Sequence, residues 1–186
     1  GSRSGTVALA GSLGGDGGYD GGGVKSGGVA SCLVRLSALH GVSMQVPSNI
    51  AVIGASGALG RAFTTQLQTR YPQAAVHACA RTEVPFTPGA RTYYHHLDLT
   101  DEATVARAAE SAASHGPFDL ILVTTGILHE PGIMPEKALR DLDVTNLQRL
   151  FAINTVGPAL VAKHFFPNIH RKQRSVCAAL SARVGS

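Results

Sequence analysis

The stretch NIAVIGASGALGRAFTTQL, residues 49–67, sets Gly54, Gly57 and Gly60 three apart, directly after a short apolar run. The run IAVIG reads as a strand buried on both faces, and Leu59, Phe63 and Leu67 then recur at helical spacing. A strand, a tight turn and a helix follow one another. Each glycine then has its own reason. Gly54 leaves the strand with backbone angles that a side chain resists, Gly57 lets the main chain approach a ligand, and Gly60 lets the helix sit tightly on the sheet. The first N–H groups of such a helix have no partner within it and carry partial positive charge, so the turn is a seat for a pyrophosphate.

Outward from this stretch, strands and helices alternate. AAVHACA (74–80) reads as a second strand, TYYHHLDL (92–99) as a third and more polar one, FDLILVTTG (118–126) as a fourth buried on both faces, and SVCAALS (175–181) as a fifth. Thr100 or Asp101 caps a helix over EATVARAAESAASH (102–115), and LDVTNLQRLFAINTVGPALVAKHFF (142–166) reads as one long helix. This alternation predicts an α/β fold: a doubly wound parallel sheet of Rossmann type in three layers, with the glycine turn as its dinucleotide site.

The length of 186 residues suits one domain with a tail. More than half of the 22 glycines fall in residues 1–43, which have little to bury and a high entropy cost of ordering. Residues 1–43 are therefore expected to be a disordered leader. Met44 opens a segment of different character and reads as the natural start, with a tag, linker or mistranslated leader before it; a genuine glycine-rich extension is the alternative. The domain is expected over 44–186. A formal charge of +4 helps attract an anionic cofactor and is too small to point to nucleic acid. Cys32, Cys79 and Cys177 lie far apart, the pattern of reduced thiols in a cytoplasmic protein and not of a disulfide framework or zinc site. No apolar stretch reaches the roughly 18 residues of a membrane span.

The end of the second strand meets the adenosine ribose in this fold. An acidic residue there favours NAD, whereas here ACAR places Arg81, whose guanidinium can clamp a 2′-phosphate. Arg61, just after the last glycine, adds to the positive field. NADP(H) is the preferred cofactor on this reading and NAD(H) a possible one; the competing reading makes Arg81 a solvated loop residue. Asp98, ending the third strand, either accepts from the adenine amino group or serves as a turn residue before Thr100.

GASGALG (54–60), HLDLTD (96–101), DLILVTTGIL (119–128), FAINTVGP (151–158) and ALSARVGS (179–186), in this order, resemble the short-chain dehydrogenase/reductase family over Asn49 to Ser186. The last three look most like the C-factor-like branch, close to the sniffer-type carbonyl reductases. The resemblance implies a Rossmann domain, hydride transfer between NAD(P)H and a small carbonyl or alcohol substrate, and a tetrad of Asn, Ser, Tyr and Lys. Asn154 falls at the tetrad asparagine, and Ser181 and Ser186 are the two candidates for the serine. Ser56, Ala58 and Leu59 belong with the glycines to the cofactor turn, Leu99 stands beside Asp98, and Thr124, Thr125 and Gly126 fall where the family has NNAG, lining the cofactor. The helix at 142–166 is often a dimer face in the family, which implies a homo-oligomer in the full-length form; no nucleic-acid or membrane partner is expected.

The departures from the family pattern carry consequences. Ile53 and Ala58 replace the threonine and middle glycine of the usual turn, leaving a GxxGxxG form of the same length. Thr124 and Thr125 remove two asparagines that brace the sheet, and their hydroxyls can substitute in part. None of the four tyrosines is followed four residues later by lysine. The expectation is a fragment of a longer enzyme, truncated after about the fifth strand, poorly soluble with its sheet edge uncovered, and inactive by itself. The alternative is a non-catalytic nucleotide-binding signalling module.

Asn154 shares a helix face with the apolar Leu147 and Phe151. Pro158 has no N–H, so the Asn154 carbonyl loses its helical donor and either holds a water, as the family's proton relay does, or marks a kink. His95 and His96 are adjacent on a strand and point to opposite faces. His129 with Glu130, and the basic HRKQR (170–174), read as surface segments.

Overall fold

The computed structural model describes residues 6–10, 46–83, 91–127 and 138–180. Six parallel strands form one sheet: β1 (Thr6–Ala10), β2 (Asn49–Ile53), β3 (Ala75–Ala80), β4 (Thr92–His96), β5 (Leu120–Val123) and β6 (Val176–Leu180), in the order β1-β6-β5-β2-β3-β4. The helices are α1 (Ala58–Arg70), α2 (Glu102–Ala113), α3 (Val144–Phe151) and α4 (Gly157–Phe165). β2 pairs β3 from Asn49↔Ala75 and β5 from Ile50↔Leu120, so the order reverses on the two sides of β2. That reversal opens a crevice at the carboxyl ends of β2 and β5.

The period of two in the strands divides the core between two faces. Ile50, Val52, Val76, Ala78, Leu120 and Leu122 meet Phe63 and Leu67 of α1. Ala51, Ile53, Cys79, Ile121 and Val123 meet Val105, Ala109 and Ala112 of α2 and Val161 and Phe165 of α4. The three-layer, doubly wound parallel sheet expected from the alternation is the observed fold. Burial pushes the Cys79 thiol up to about 12 and the Cys177 thiol to about 11, so both stay protonated at neutral pH.

Two expectations need correction. Within the stretch expected to be disordered, Thr6–Ala10 is a strand, pairing β6 in parallel from Thr6↔Val176 to Ala10↔Leu180. TVALA is free of glycine and begins with two β-branched residues, which suits it to a ladder position. The β6 edge that five strands would have left bare is thereby paired; the neighbouring residues 11–45 lie outside the described ones.

The helix at 142–166 is not one regular α-helix. α3 passes through a π-helical turn at Ala152–Val156, where the Gly157 N–H donates to the Ala152 carbonyl, before α4 begins with Pro158 in its first turn. The wider turn absorbs the position at which Pro158 offers no N–H. α3 has no buried residue: Phe151 is 61% exposed and Asn154 is exposed.

At the amino ends of the strands, Asp119 accepts from the Ser48 N–H (2.7 Å) and hydroxyl (2.9 Å), the Asn49 N–H (3.0 Å) and His170 Nε2 (2.9 Å). One carboxylate thus gathers the starts of β2 and β5 and the turn before β6. His170 belongs to this network, while Arg171, Lys172, Gln173 and Arg174 are exposed.

Candidate functional site

Gly54 ends β2 at φ +89°, and a Cβ placed on it would stand 2.6 Å from Thr125 Cγ2. Its N–H and that of Ala55 both donate to the Cys79 carbonyl, at 2.8 and 3.0 Å, tying the turn to the end of β3. A Cβ on Gly60 would lie 2.1 Å from the Gly54 carbonyl oxygen, so α1 approaches the strand more closely than any side chain permits. Gly57 differs from both. It is exposed, has an ordinary extended backbone, and a Cβ there would meet only the Gly54 oxygen at 3.4 Å. It is also the N-cap of α1, where no side chain caps the helix and no acidic residue occupies the first turn.

This open helix end faces a cleft of about 230 Å³. Gly54, Ser56 and Gly57 form its floor; Ala80, Arg81, Leu97, Asp98 and Leu99 form one wall; Thr124 to Ile127 and Ile153 form the other. Asp98 is a turn residue that also lines the cleft. Its Oδ1 accepts from the Thr100 N–H (2.8 Å) and hydroxyl (2.7 Å), an Asx turn, while the residue lines the cleft. Burial would raise its carboxyl; the two bonds from Thr100, with the nearby Arg81 and Arg149, outweigh that and hold it below its ordinary value. Leu99 is fixed by Gly157, where a Cβ would stand 2.8 Å from the leucine Cδ1.

On the other wall, Thr124 donates its hydroxyl to the Ile53 carbonyl at 2.8 Å and so braces β5 to β2. The Thr125 hydroxyl is buried without a hydrogen-bond partner among the described residues. Asn154 reaches across from the π-helical turn: its Oδ1 accepts from the Ile127 N–H (2.9 Å) and its Nδ2 donates to the Ile127 carbonyl (2.7 Å). The asparagine side chain is therefore a two-point clamp on the loop after β5.

Ala58, Leu59 and Gly60 are not in the cleft wall; Leu59 packs into the core and Gly60 is buried under Gly54. Arg61 lies beside the turn, donating Nε to the Ser56 carbonyl at 3.0 Å. Ser181, Ser186, His129 and Glu130 lie outside the described residues. The sequence reading missed Ala80, Leu97, Ile127 and Ile153 as wall residues. Each adjoins a position it did choose, Arg81, Asp98, Gly126 and Asn154 in turn, and that adjacency was the available signal. A larger depression of about 510 Å³, lined by Gly116, Pro117 and Asn168 to Gln173, lies among residues flanking the amino ends of β5 and β6, away from the glycine turn.

Which groups fit the cleft follows from its donors. An uncapped helix end, a turn that two glycines hold against the strand, an unpaired hydroxyl and an arginine on the far wall suit an anionic, hydroxyl-bearing ligand such as a dinucleotide. Among the described residues no group of histidine, cysteine or carboxylate side chains is placed to hold a metal ion, and no helix is long and apolar enough to cross a membrane.

Comparison with known proteins gives the family and the fold. The family described as short chain dehydrogenase matches residues 48–185. A curated relative, (+)-borneol dehydrogenase 1 of Salvia officinalis, is 36% identical over 77 residues, 41% of this chain and 28% of that protein. Among solved structures, the ligand-free aldohexose dehydrogenase of Thermoplasma acidophilum superposes with TM-score 0.61 at 16% identity, covering 72% of this chain and 49% of the other. A short chain dehydrogenase/reductase from Saccharomyces cerevisiae gives TM-score 0.62 at 22% identity, covering 70% and 52%. The chain thus spans about half the length of these solved structures and less of the curated relative. It belongs to the short-chain dehydrogenase/reductase family.

Proposed function

We propose that residues 44–186 form the cofactor-holding part of a cytoplasmic short-chain oxidoreductase of the C-factor-like branch, preferring NADP(H) to NAD(H) and acting on a small carbonyl or alcohol. The observation that carries this reading is the open N-terminus of α1, facing a cleft with Arg81 on its far wall. When bound, the dinucleotide supplies hydride transfer at its nicotinamide ring. The chain's own residues hold and orient it. The main chain at Gly54, Ser56 and Gly57 takes the diphosphate. Arg81 takes the 2′-phosphate, with the charge of Arg61 nearby. Asp98, kept ionised by its Thr100 bonds, accepts from the adenine amino group, and the unpaired Thr125 hydroxyl finds its partner on the cofactor.

Asn154 acts by position: its clamp on Ile127 holds the nicotinamide side of the cleft, and its carbonyl, facing no N–H at Pro158, is available to a water of the proton relay. Ser181 or Ser186 would bind the substrate oxygen. With no Tyr-x-x-x-Lys pair among the 186 residues, the chain is expected to bind cofactor without turning it over. Leu142, Val144, Phe151 and Val156 expose apolar surface on and beside α3, which supports assembly with a second copy in the full-length form.

A fluorescence titration with NADPH and NADH, on the wild type and on Arg81→Ala, tests the cofactor assignment. The wild type is expected to bind NADPH about tenfold more tightly, and Arg81→Ala to lose that margin, as the loss of a charge-assisted phosphate contact requires. Equal affinity for the two cofactors in both proteins removes Arg81 from the site.

A further inference from the structure

Strand β3 carries His77 into the core on the α2 face, where it is fully buried. Its Nδ1 lies 2.8 Å from Nε2 of His95 on β4. Its ring stacks on Tyr93 (centroids 5.3 Å apart, planes at 21°) and meets His95 and His115 at 5.0 Å each, and Tyr93 and His115 meet at 4.2 Å. Four rings from β3, β4 and the end of α2 therefore form one stack at the sheet edge, with the edge of Phe118 on its inner side. The titratable groups facing His77 from these elements are Tyr93 and His95 on β4, His115 beyond α2, and Cys79 two residues along β3. None of them is a carboxylate. His77 Nε2 is buried without a hydrogen-bond partner among the described residues. A neutral ring leaves one polar atom unpaired there; a protonated ring would leave a charge, with two more histidines beside it.

We propose that the His77–Tyr93–His95–His115 stack is an acid-operated latch on strand β4. At neutral pH the uncharged His77 ring, within the stack, holds β4 and the end of α2 against β3. Uptake of a proton by His77 expels the ring and frees β4, while β2 and β5, which have no part in the stack, stay paired.

The electrostatics support this direction. Burial first, then the positive forms of His95 and His115, push His77 down to about 3, and burial with His115 also lowers His95. In the open form His77 titrates near its ordinary 6.5, so between that value and about 3 the open form binds more protons. The stack's contribution is complete above pH 6.5 and is lost as the pH falls toward 3. β4 leads directly into Leu97–Leu99, so its release would also loosen one wall of the cleft; that consequence alone rests on the cofactor reading.

Hydrogen exchange of the full chain, without dinucleotide, tests the latch. Protection is measured at about pH 7.5 and about pH 5 and corrected for intrinsic rates, in the wild type and in His77→Phe and His77→Gln. One variant keeps the stacking and the other keeps a polar partner for His95, so the test needs only one of them to fold. In the wild type the amides of Tyr93, His95 and Leu97, which face β3, should lose about 30-fold in protection at the lower pH, the factor set by one such histidine, while those of β2 and β5 hold theirs. In the folded variant that loss should vanish. Retained β4 protection in the acidified wild type, or an equal acid loss in the variant, overturns the proposal. Because no dinucleotide is present, failure of the cofactor assignment leaves this result unaffected.

Discussion

Helices α1 and α2 both begin beyond the carboxyl end of a parallel strand, yet their N-termini are built in opposite ways. At α2, Asp101 accepts from the Ala103 N–H at 3.0 Å and Glu102 stands in the first turn, so negative charge meets the positive end of the helix dipole. α3 repeats the device with Asp143 on the Asn146 N–H. At α1 the cap is Gly57, no side chain bonds the free N–H groups, and the first turn holds Arg61, a cation at the end where the dipole disfavours one. Two helices are closed by their own carboxylates; the third has no side-chain cap among the described residues. The difference separates a helix end closed by the fold from one left open toward the cleft.

The contrast can be broken at either end. The largest effect is expected at Gly60, where a Cβ would stand 2.1 Å from a carbonyl oxygen. Gly60→Ala should lower stability by about 3 kcal/mol in a denaturant titration and abolish dinucleotide binding, since α1 must lift off β2. Ordinary stability in that variant would mean that the close approach is not required. A smaller effect is expected at α2. Asp101→Ala should lose about 1 kcal/mol of stability, the usual worth of a cap, and leave dinucleotide affinity unchanged. A matching loss of affinity would show that the two helix ends are not separate in function.

What the sequence disclosed and what it hid divide along the same physical line. The glycine turn, the apolar strands and the capped α2 were readable because each depends on residues a few positions apart. Asn154 was chosen as a site residue, but its partner is Ile127, 27 positions away, and such a pairing leaves no periodic trace. The apolar repeat of Leu147 and Phe151 marks a face of α3, which has no buried residue; spacing identifies a face and not what covers it. Asp119 looked like the start of a strand, and its role in gathering Ser48, Asn49 and His170 appears only when three segments meet. Thr6–Ala10 was obscured by the glycines around it, and His77 by a strand of small residues that gives no hint of a ring stack.

Gly57 offers the most direct measurement, because its backbone and surroundings accept a side chain. In Gly57→Asp a carboxylate is placed on the donors that α1 leaves free, as Asp101 is placed on α2. Titration with NADPH alongside a thermal melt should show stability unchanged or raised by a few tenths of a kcal/mol, with affinity reduced about tenfold or more. Undiminished affinity in a folded Gly57→Asp protein would mean that the open end of α1 does not hold the diphosphate.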